Sequence, residues 1–348
     1  MRNLHKSSLP LRESMTRRLY RRSGVSGTIE LPAVPSMIDD YVAMCGNLFA
    51  DIGREFTNDE LAHLTAVLQQ QLATAFANSP RSTIVVSYNA PSASILNYEV
   101  NISWSTLEAA YEHWISTREP PLFGKEPDAR VWALAHETSD PASFPVLDIG
   151  AGTGRNALAL ARRGHPVDAV ELTPKFADMI ASDAQRELLN VHVIQGDVFG
   201  SNLELRRDYQ LILLSEVVSD FRSIQQLRGV FELAAGCLAP GGRLVFNAFL
   251  AKPGYTPDDA ARELGQQYYT TIFTDDEIAW AASNLPLQLI ADDSVYEYEK
   301  AHLPEGSWPQ TSWYEEWVSG QDVFDVPRDQ SPIELRWRVY QKPDSRSI

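Results

Sequence analysis

Cysteine is nearly absent from this 348-residue chain: Cys45 and Cys237 are the only two. Two are too few for a disulfide framework or a zinc knuckle, so a reducing, cytoplasmic setting is expected. Long apolar runs are missing as well. None approaches the about 20 residues that cross a bilayer as a helix, so no membrane is expected among the partners. Positive charge is scarce too, with 30 Lys and Arg against 46 Asp and Glu and a formal net charge of -16. Such a field repels polyanions, which removes nucleic acid from the expected partners. The one basic concentration, "MTRRLYRRSG" with Arg17, Arg18, Arg21 and Arg22, has no apolar stretch behind it, so it completes neither a secretory nor a twin-arginine signal.

What is present is apolar material at 44% of residues, enough for one large domain or two modest ones. Residues 1–34, rich in Ser, Arg and Pro, read as a flexible tail. Residues 35–140 read as a helical and hairpin region expected to cover an acceptor site. "SMIDDYVAMCGNLFADIGREF" repeats apolar residues at helical spacing, and Thr57 with Glu60 forms a capping box for the next helix. "RSTIVVSYNAPSASILNYEVNISW" reads as a hairpin, and Ser105 and Glu108 are expected to cap a helix that Pro120 and Pro121 end.

From 141 to 348 the pattern changes to apolar runs (144–149, 167–171, 191–195, 209–214 and 243–249) alternating with helical segments. Runs without polar alternation are strands covered on both faces, so a doubly wound, mostly parallel α/β sheet is expected. "LPLQLIADDSVYEYE" and "IELRWRVYQK" follow with no crossover helix between them, which places them as antiparallel strands at one edge. Seven aromatics between Tyr296 and Phe324 fall in an insertion of about residues 296–330 that reads either as a lid or as a satellite core.

"VLDIGAGTGRNALALARRG" sets Gly150, Gly152 and Gly154 in a G-x-G-x-G turn. The dinucleotide fingerprint needs a third glycine where Arg155 stands, and no Gly-Lys-Ser/Thr follows to make a phosphate loop. Glu171 ends the next strand 21 residues after Gly150, where a carboxylate grips both hydroxyls of a ribose. Asp197 ends the third strand, in position to accept from an adenine amine. Asp148, under the turn, repels a pyrophosphate but suits an ammonium or sulfonium group. Three acids around one cleft favour a positively charged nucleoside.

Together "VLDIGAGTGRNALALARRG", "VDAVELT", "VIQGDVF", "YQLILLSEVVSDF" and "LAPGGRLVFNAF" resemble the successive blocks of class I S-adenosylmethionine-dependent methyltransferases, over about residues 144–342. The resemblance implies a seven-stranded sheet whose last strand is antiparallel, with S-adenosyl-L-methionine as cofactor. It implies that Asp148, Gly150, Gly152 and Gly154 hold the methionine part, that Glu171 binds the ribose with Leu172 against the adenine, that Asp197 and Val198 read the adenine edge, and that Ser215 and Glu216 line the cleft.

Methyl transfer from a sulfonium is an in-line displacement that depends on alignment, and it needs a base only when the acceptor arrives protonated. Candidate bases are Asp220, His113 and His302. Candidate acceptor contacts are Asn247, Phe249, Tyr268, Tyr269, Trp313 and Trp317. The expected activity is methyl transfer to an oxygen or nitrogen of a small molecule. A nicotinamide-dependent oxidoreductase and a non-catalytic cofactor-binding protein are the alternatives, and the sequence leaves the acceptor and the oligomeric state open.

Overall fold

Two hydrophobic rhythms, one of period 3.6 and one of unbroken apolar runs, divide this chain. The computed structural model describes residues 8–20, 24–92, 95–117, 121–200 and 203–344. Arg21, Arg22 and Pro120 lie outside them. Contacts divide the chain into two units, Met1–Ala110 with Asp259–Gln267, and Tyr111–Asp258 with Tyr268–Ile348.

The first unit is a three-stranded antiparallel sheet with helices. It contains α1 (Ser8–Tyr20), β1 (Val25–Pro32), α2 (Ile38–Asp51), α3 (Asn58–Asn78), β2 (Thr83–Ser92) and β3 (Ile95–Ser103) in the order β1-β2-β3. The stretch read as a flexible tail thus contains a helix and a strand. Val25 to Pro32 pair rung by rung with Ala90 to Thr83, and Leu31, Ala33 and Val34 are fully buried. Composition hid this because β1 alternates exposed and inward residues and only Ile29 and Leu31 face the core. The capping box of α3 forms as expected, with Thr57 Oγ1 accepting from Glu60 N and Glu60 Oε2 accepting from Thr57 N at 2.8 Å. Leu64, Leu68 and Leu72 on α3 meet Cys45 and Phe49 of α2 and Ile84 and Val86 of β2 in one core. α4 (Leu107–Thr117) crosses the division. Its Ala109 N donates to Thr106 Oγ1 at 3.1 Å, so Thr106 caps the turn in place of the expected Ser105; the Glu108 side chain lies outside the described residues.

The second unit is built on a larger sheet. α5 (Ala129–Ala135) leads into β4 (Val146–Ile149), α6 (Arg155–Arg162), β5 (Val167–Glu171), α7 (Pro174–Glu187), β6 (Val191–Gln195), β7 (Tyr209–Leu214), α8 (Ile224–Cys237) and β8 (Leu238–Ala251). α9 (Asp259–Gln267) belongs to the first unit, where Glu263 Oε2 accepts from Ser36 N at 2.8 Å. Then follow β9 (Ile272–Phe273), α10 (Asp275–Ala282), β10 (Gln288–Ser294), α11 (Val295–His302), α12 (Tyr314–Val318), α13 (Gln321–Phe324) and β11 (Ile333–Gln341).

The sheet order is β10-β11-β8-β7-β4-β5-β6, with the two-residue β9 paired to β8. β8, β7, β4, β5 and β6 run parallel, and β11 is antiparallel to both β8 and β10. This is the doubly wound α/β class, with one short strand beyond the seven expected. Alternate residues along each strand feed two cores. Val146, Leu211, Leu213, Val245 and Phe249 meet α5, α6, α7, α11 and α12, whereas Leu147, Ile212, Leu214, Phe246 and Leu250 meet α8 and α10.

The expectation that "SVYEYE" continues the edge strand is corrected. Ser294 Oγ accepts from Glu297 N at 3.3 Å, and the chain turns there into α11. A serine followed three positions on by an acid is a helix start that the β-rich composition had masked. Among the described residues no helix is long and apolar enough to cross a membrane.

Candidate active site

In a doubly wound sheet the carboxyl ends of the strands face a crevice at the point where strand order reverses, here between β4 and β7. The chain leaving β4 must turn at once into α6. Gly150 N and Ala151 N both donate to Val170 O, folding the turn back onto β5. Gly150 has φ +70°, and a Cβ there would stand 2.4 Å from the Val217 side chain. Gly154, φ +85°, is pressed by Leu158 and Ile180 as it opens α6. Only glycine combines the left-handed backbone with those approaches.

Glu171, at the end of β5, aims its buried carboxylate at this turn. Its Oε2 accepts from Gly152 N at 2.8 Å and its Oε1 from Thr173 N at 2.7 Å. Burial raises its pKa, and those backbone donors partly offset the rise. Asp148 lies beneath the turn, and its Oδ2 is buried without a hydrogen-bond partner. Burial, with Asp128 nearby, pushes its pKa up to about 7.

Arg155 links two strand ends. Its Nη1 donates to Asp128 Oδ1 at 2.6 Å and its Nη2 to Glu216 Oε1 at 2.7 Å. Asp128 is fully buried and also accepts from Asn156 Nδ2 and Gln310 Nε2. Glu216 follows β7 with φ +61°, and its backbone N donates to Asn247 Oδ1 at 2.8 Å. Burial raises the Glu216 pKa to about 7 against the pull of Arg155. Glu299 of α11, fully buried, accepts from Ala129 N, Arg130 N and Trp337 Nε1, and burial lifts it to about 8. Asp128, Glu216, Asp148 and Glu299 thus share one guanidinium, with Glu171 acting on Asp148, so buried acids outnumber the buried cation here and a cationic ligand would relieve their crowding.

The remaining expected residues divide into two sets. Leu172 is 54% exposed just past the end of β5. Ser215 Oγ and Asn247 Nδ2 are buried and unpartnered. Asp220 lies in a single 3-10 turn after β7 and accepts from Tyr111 Oη at 3.2 Å. Asp197 is exposed and accepts from Phe199 N at 2.9 Å, closing a local turn, while Val198 packs partly into the α8 core.

Phe249 is a core residue rather than an open contact. It is fully buried and meets Trp317 edge-on at 5.2 Å. Trp317 is likewise buried, its Nε1 donating to Tyr269 O at 3.2 Å, and Trp313 packs edge-on to it. Tyr268 is 46% exposed and Tyr269 has φ +56°. His302 is not brought to the strand ends: it is exposed on α11, bonded to its own helix at Tyr298 O and stacked on that ring. The His113 side chain lies outside the described residues.

Sequence reasoning missed Asp128, Glu299 and the ion-pair role of Arg155. Asp128 sits in an unpatterned loop and Glu299 in a segment misread as strand, so neither announced itself. Tyr314, counted only as one of the insertion's aromatics, is buried with an unpartnered hydroxyl. Among the described residues no group of His, Cys, Asp and Glu is arranged to hold a metal ion.

Comparison with known proteins bears on this geometry. The family model described as a methyltransferase domain matches residues 146–242, which run from the start of β4 into β8. The demethylmenaquinone methyltransferase of Tropheryma whipplei (strain Twist) is 30% identical over 109 residues, 31% of this chain and 43% of that protein. The ribosomal RNA small subunit methyltransferase C of Chromohalobacter salexigens is 32% identical over 125 residues, 34% of this chain and 36% of that protein. The chain thus spans less than half the length of these relatives. A geranyl diphosphate methyltransferase solved in complex with SAM is 15% identical with a TM-score of 0.49, covering 62% of this chain and 85% of that one. The segment from β4 into β8, with its glycine turn and parallel strands, is thus similar to a methyltransferase domain, consistent with the class I type.

Proposed function

We propose that this chain is an S-adenosylmethionine-dependent methyltransferase acting on an oxygen or nitrogen of a small-molecule acceptor. The observation that carries the reading is Asp148. Its Oδ2 is buried and unpartnered beneath a turn too bare to obstruct a ligand, within a group of carboxyls that outnumber their cations. Such a site favours a ligand bearing an ammonium and a sulfonium and opposes a pyrophosphate. The residues present fit S-adenosylmethionine, which when bound would supply a methyl group on a positively charged sulfur. Asp148 and the Gly150–Gly154 turn would hold its methionine part, Glu171 its ribose hydroxyls and Leu172 the adenine face.

The protein's own share of the chemistry is alignment and exclusion of water. The turn fixes the ligand's depth, and Arg155 ties the loop after β7 to the start of α6, which keeps the opposite wall of the crevice in register. The acidic surface disfavours a nucleic-acid acceptor.

Calorimetry with S-adenosylhomocysteine and with NADH tests the reading. Binding of the first and not the second is expected, and the reverse result overturns it. Release of S-adenosylhomocysteine with some acceptor from a metabolite extract separates a catalyst from a protein that merely holds the cofactor.

A further inference from the structure

The mechanism above leaves unused three polar groups at the ends of β7 and β8: the Tyr314 hydroxyl, the Asn247 amide nitrogen and the free oxygen of Glu216. Their placement follows from packing. Phe249 and Asn247 are two residues apart on one face of β8, and Trp317 and Tyr314 are three apart on one face of α12. Trp317 packs edge-on to Phe249 at 5.2 Å and Tyr314 packs on Trp317 at 6.1 Å, so α12 carries Tyr314 along the β8 face that presents Asn247. Asn247 Oδ1 in turn holds the backbone of Glu216 at 2.8 Å. Glu216 is also the charge that acts most strongly on the Tyr314 hydroxyl, ahead of Asp128, Glu299 and Arg155.

The Tyr314 Oη and Asn247 Nδ2 atoms are both buried without a partner, in side chains exposed by 1% and 0%. Buried polar groups are almost always hydrogen-bonded, so two unpartnered donors beside one carboxyl mark a place where a ligand completes the set. Two neutral donors call for oxygen lone pairs, and a carboxylate calls for a proton. Arg155 occupies Glu216 Oε1, which leaves Oε2 for that proton, and Glu216, 13% exposed, is the member of the trio nearest solvent.

We propose that Tyr314, Asn247 and Glu216 form an acceptor subsite for a hydroxyl whose neighbouring carbon carries a second oxygen. This deepens the methyltransferase reading and rests on it. One donor holds the nucleophilic oxygen, the other its neighbour. As the acceptor oxygen bonds to the donated methyl carbon, the electron pair of the breaking carbon–sulfur bond stays on sulfur. The acceptor's proton passes to Glu216 Oε2, and no oxidant or reductant takes part. Arg155, Asp128, Asp220 and Tyr314 are the charged and titratable groups that face Glu216 and set its proton affinity.

The test uses the full chain loaded with S-adenosylhomocysteine and titrated with catechol, phenol and benzylamine by calorimetry. Catechol should bind about tenfold tighter than the other two. Tyr314→Phe, and Asn247→Asp, which keeps the oxygen that holds Glu216, should each weaken catechol by about tenfold or more while leaving S-adenosylhomocysteine affinity within about twofold. Because the lost hydroxyl has no partner in the protein, Tyr314→Phe should not lower the melting temperature.

Equal binding of catechol and phenol, or no catechol binding to the loaded protein, overturns the subsite. A parallel loss of S-adenosylhomocysteine affinity in the variants overturns it too and moves the two donors to the cofactor. A lower melting temperature in Tyr314→Phe with catechol binding intact makes the hydroxyl structural, again against the proposal. If the wild-type chain fails to take up S-adenosylhomocysteine at all, the methyltransferase reading itself falls.

Discussion

Arg155 and Glu216, 61 residues apart in sequence, meet through a 2.7 Å ion pair at neighbouring strand ends, with the guanidinium 7% exposed. Arg155 stands where a dinucleotide fingerprint would have its third glycine, so a position that departs from one nucleotide-binding pattern is here a cross-brace. Removing the cation leaves Asp128 and Glu216 buried together without it. Arg155→Met should therefore cost about 3 to 5 kcal/mol of stability in denaturant unfolding, since breaking a buried pair strands its partners.

Asp148 gives a pH prediction with a definite sign. Burial lifts its carboxyl from 3.8 to about 7, so between those values the folded protein keeps a proton that the unfolded chain releases. Stability is full below that window and declines as pH rises through it. Asp148→Asn abolishes this titration. In the unliganded protein it should raise stability at pH 8 by on the order of 1 to 4 kcal/mol relative to pH 4, while weakening S-adenosylmethionine binding. Thermal melts across pH 4 to 8 provide the check, and a variant whose slope matches the wild type would exclude Asp148 as the source.

Much of this was legible in the sequence. The parallel strands sit within two residues of the apolar runs, except that β8 starts five residues early, because unbroken apolar runs flanked by amphipathic segments have few other solutions. The turn was legible because Gly150 and Gly154 must be glycine for steric reasons visible at short range. The buried carboxyls of Asp128 and Glu299 were not, since their partners are 27 and 170 residues away and no local pattern encodes such a meeting. The aromatic insertion failed differently: density alone could not tell a lid from a core, and Tyr296, Tyr314 and Trp317 are buried core residues with the other four aromatics packed partly against them.

Glu171 is the next test. It serves both the turn, through Gly152 N, and the expected ribose. Glu171→Ala should weaken S-adenosylhomocysteine binding by about 2 to 4 kcal/mol by calorimetry, because charge-assisted bonds are lost and their donors stranded. Unchanged affinity would take Glu171 out of the site.

The two tryptophans of α12 and its approach should separate. Trp317, 6% exposed against Phe249, is core, and Trp317→Ala should destabilise by about 3 to 5 kcal/mol. Trp313 is only half-buried. Trp313→Ala should cost less in unfolding and act on the acceptor's KM with cofactor affinity unchanged. A pattern with the two residues exchanged would place the aromatic wall the other way round.

Strand β11 comes last among the described strands, yet it is wedged between β10 and β8. During synthesis the β8 edge that pairs with β11 must therefore stay open until Ile333–Gln341 has left the ribosome. A chain cut before Ile333 would retain the glycine turn and every carboxylate around it, but would present a long apolar edge to its copies, a template for self-association. Integrity of the crevice thus depends on a strand that reaches the crevice acids through Trp337, by the donation to Glu299.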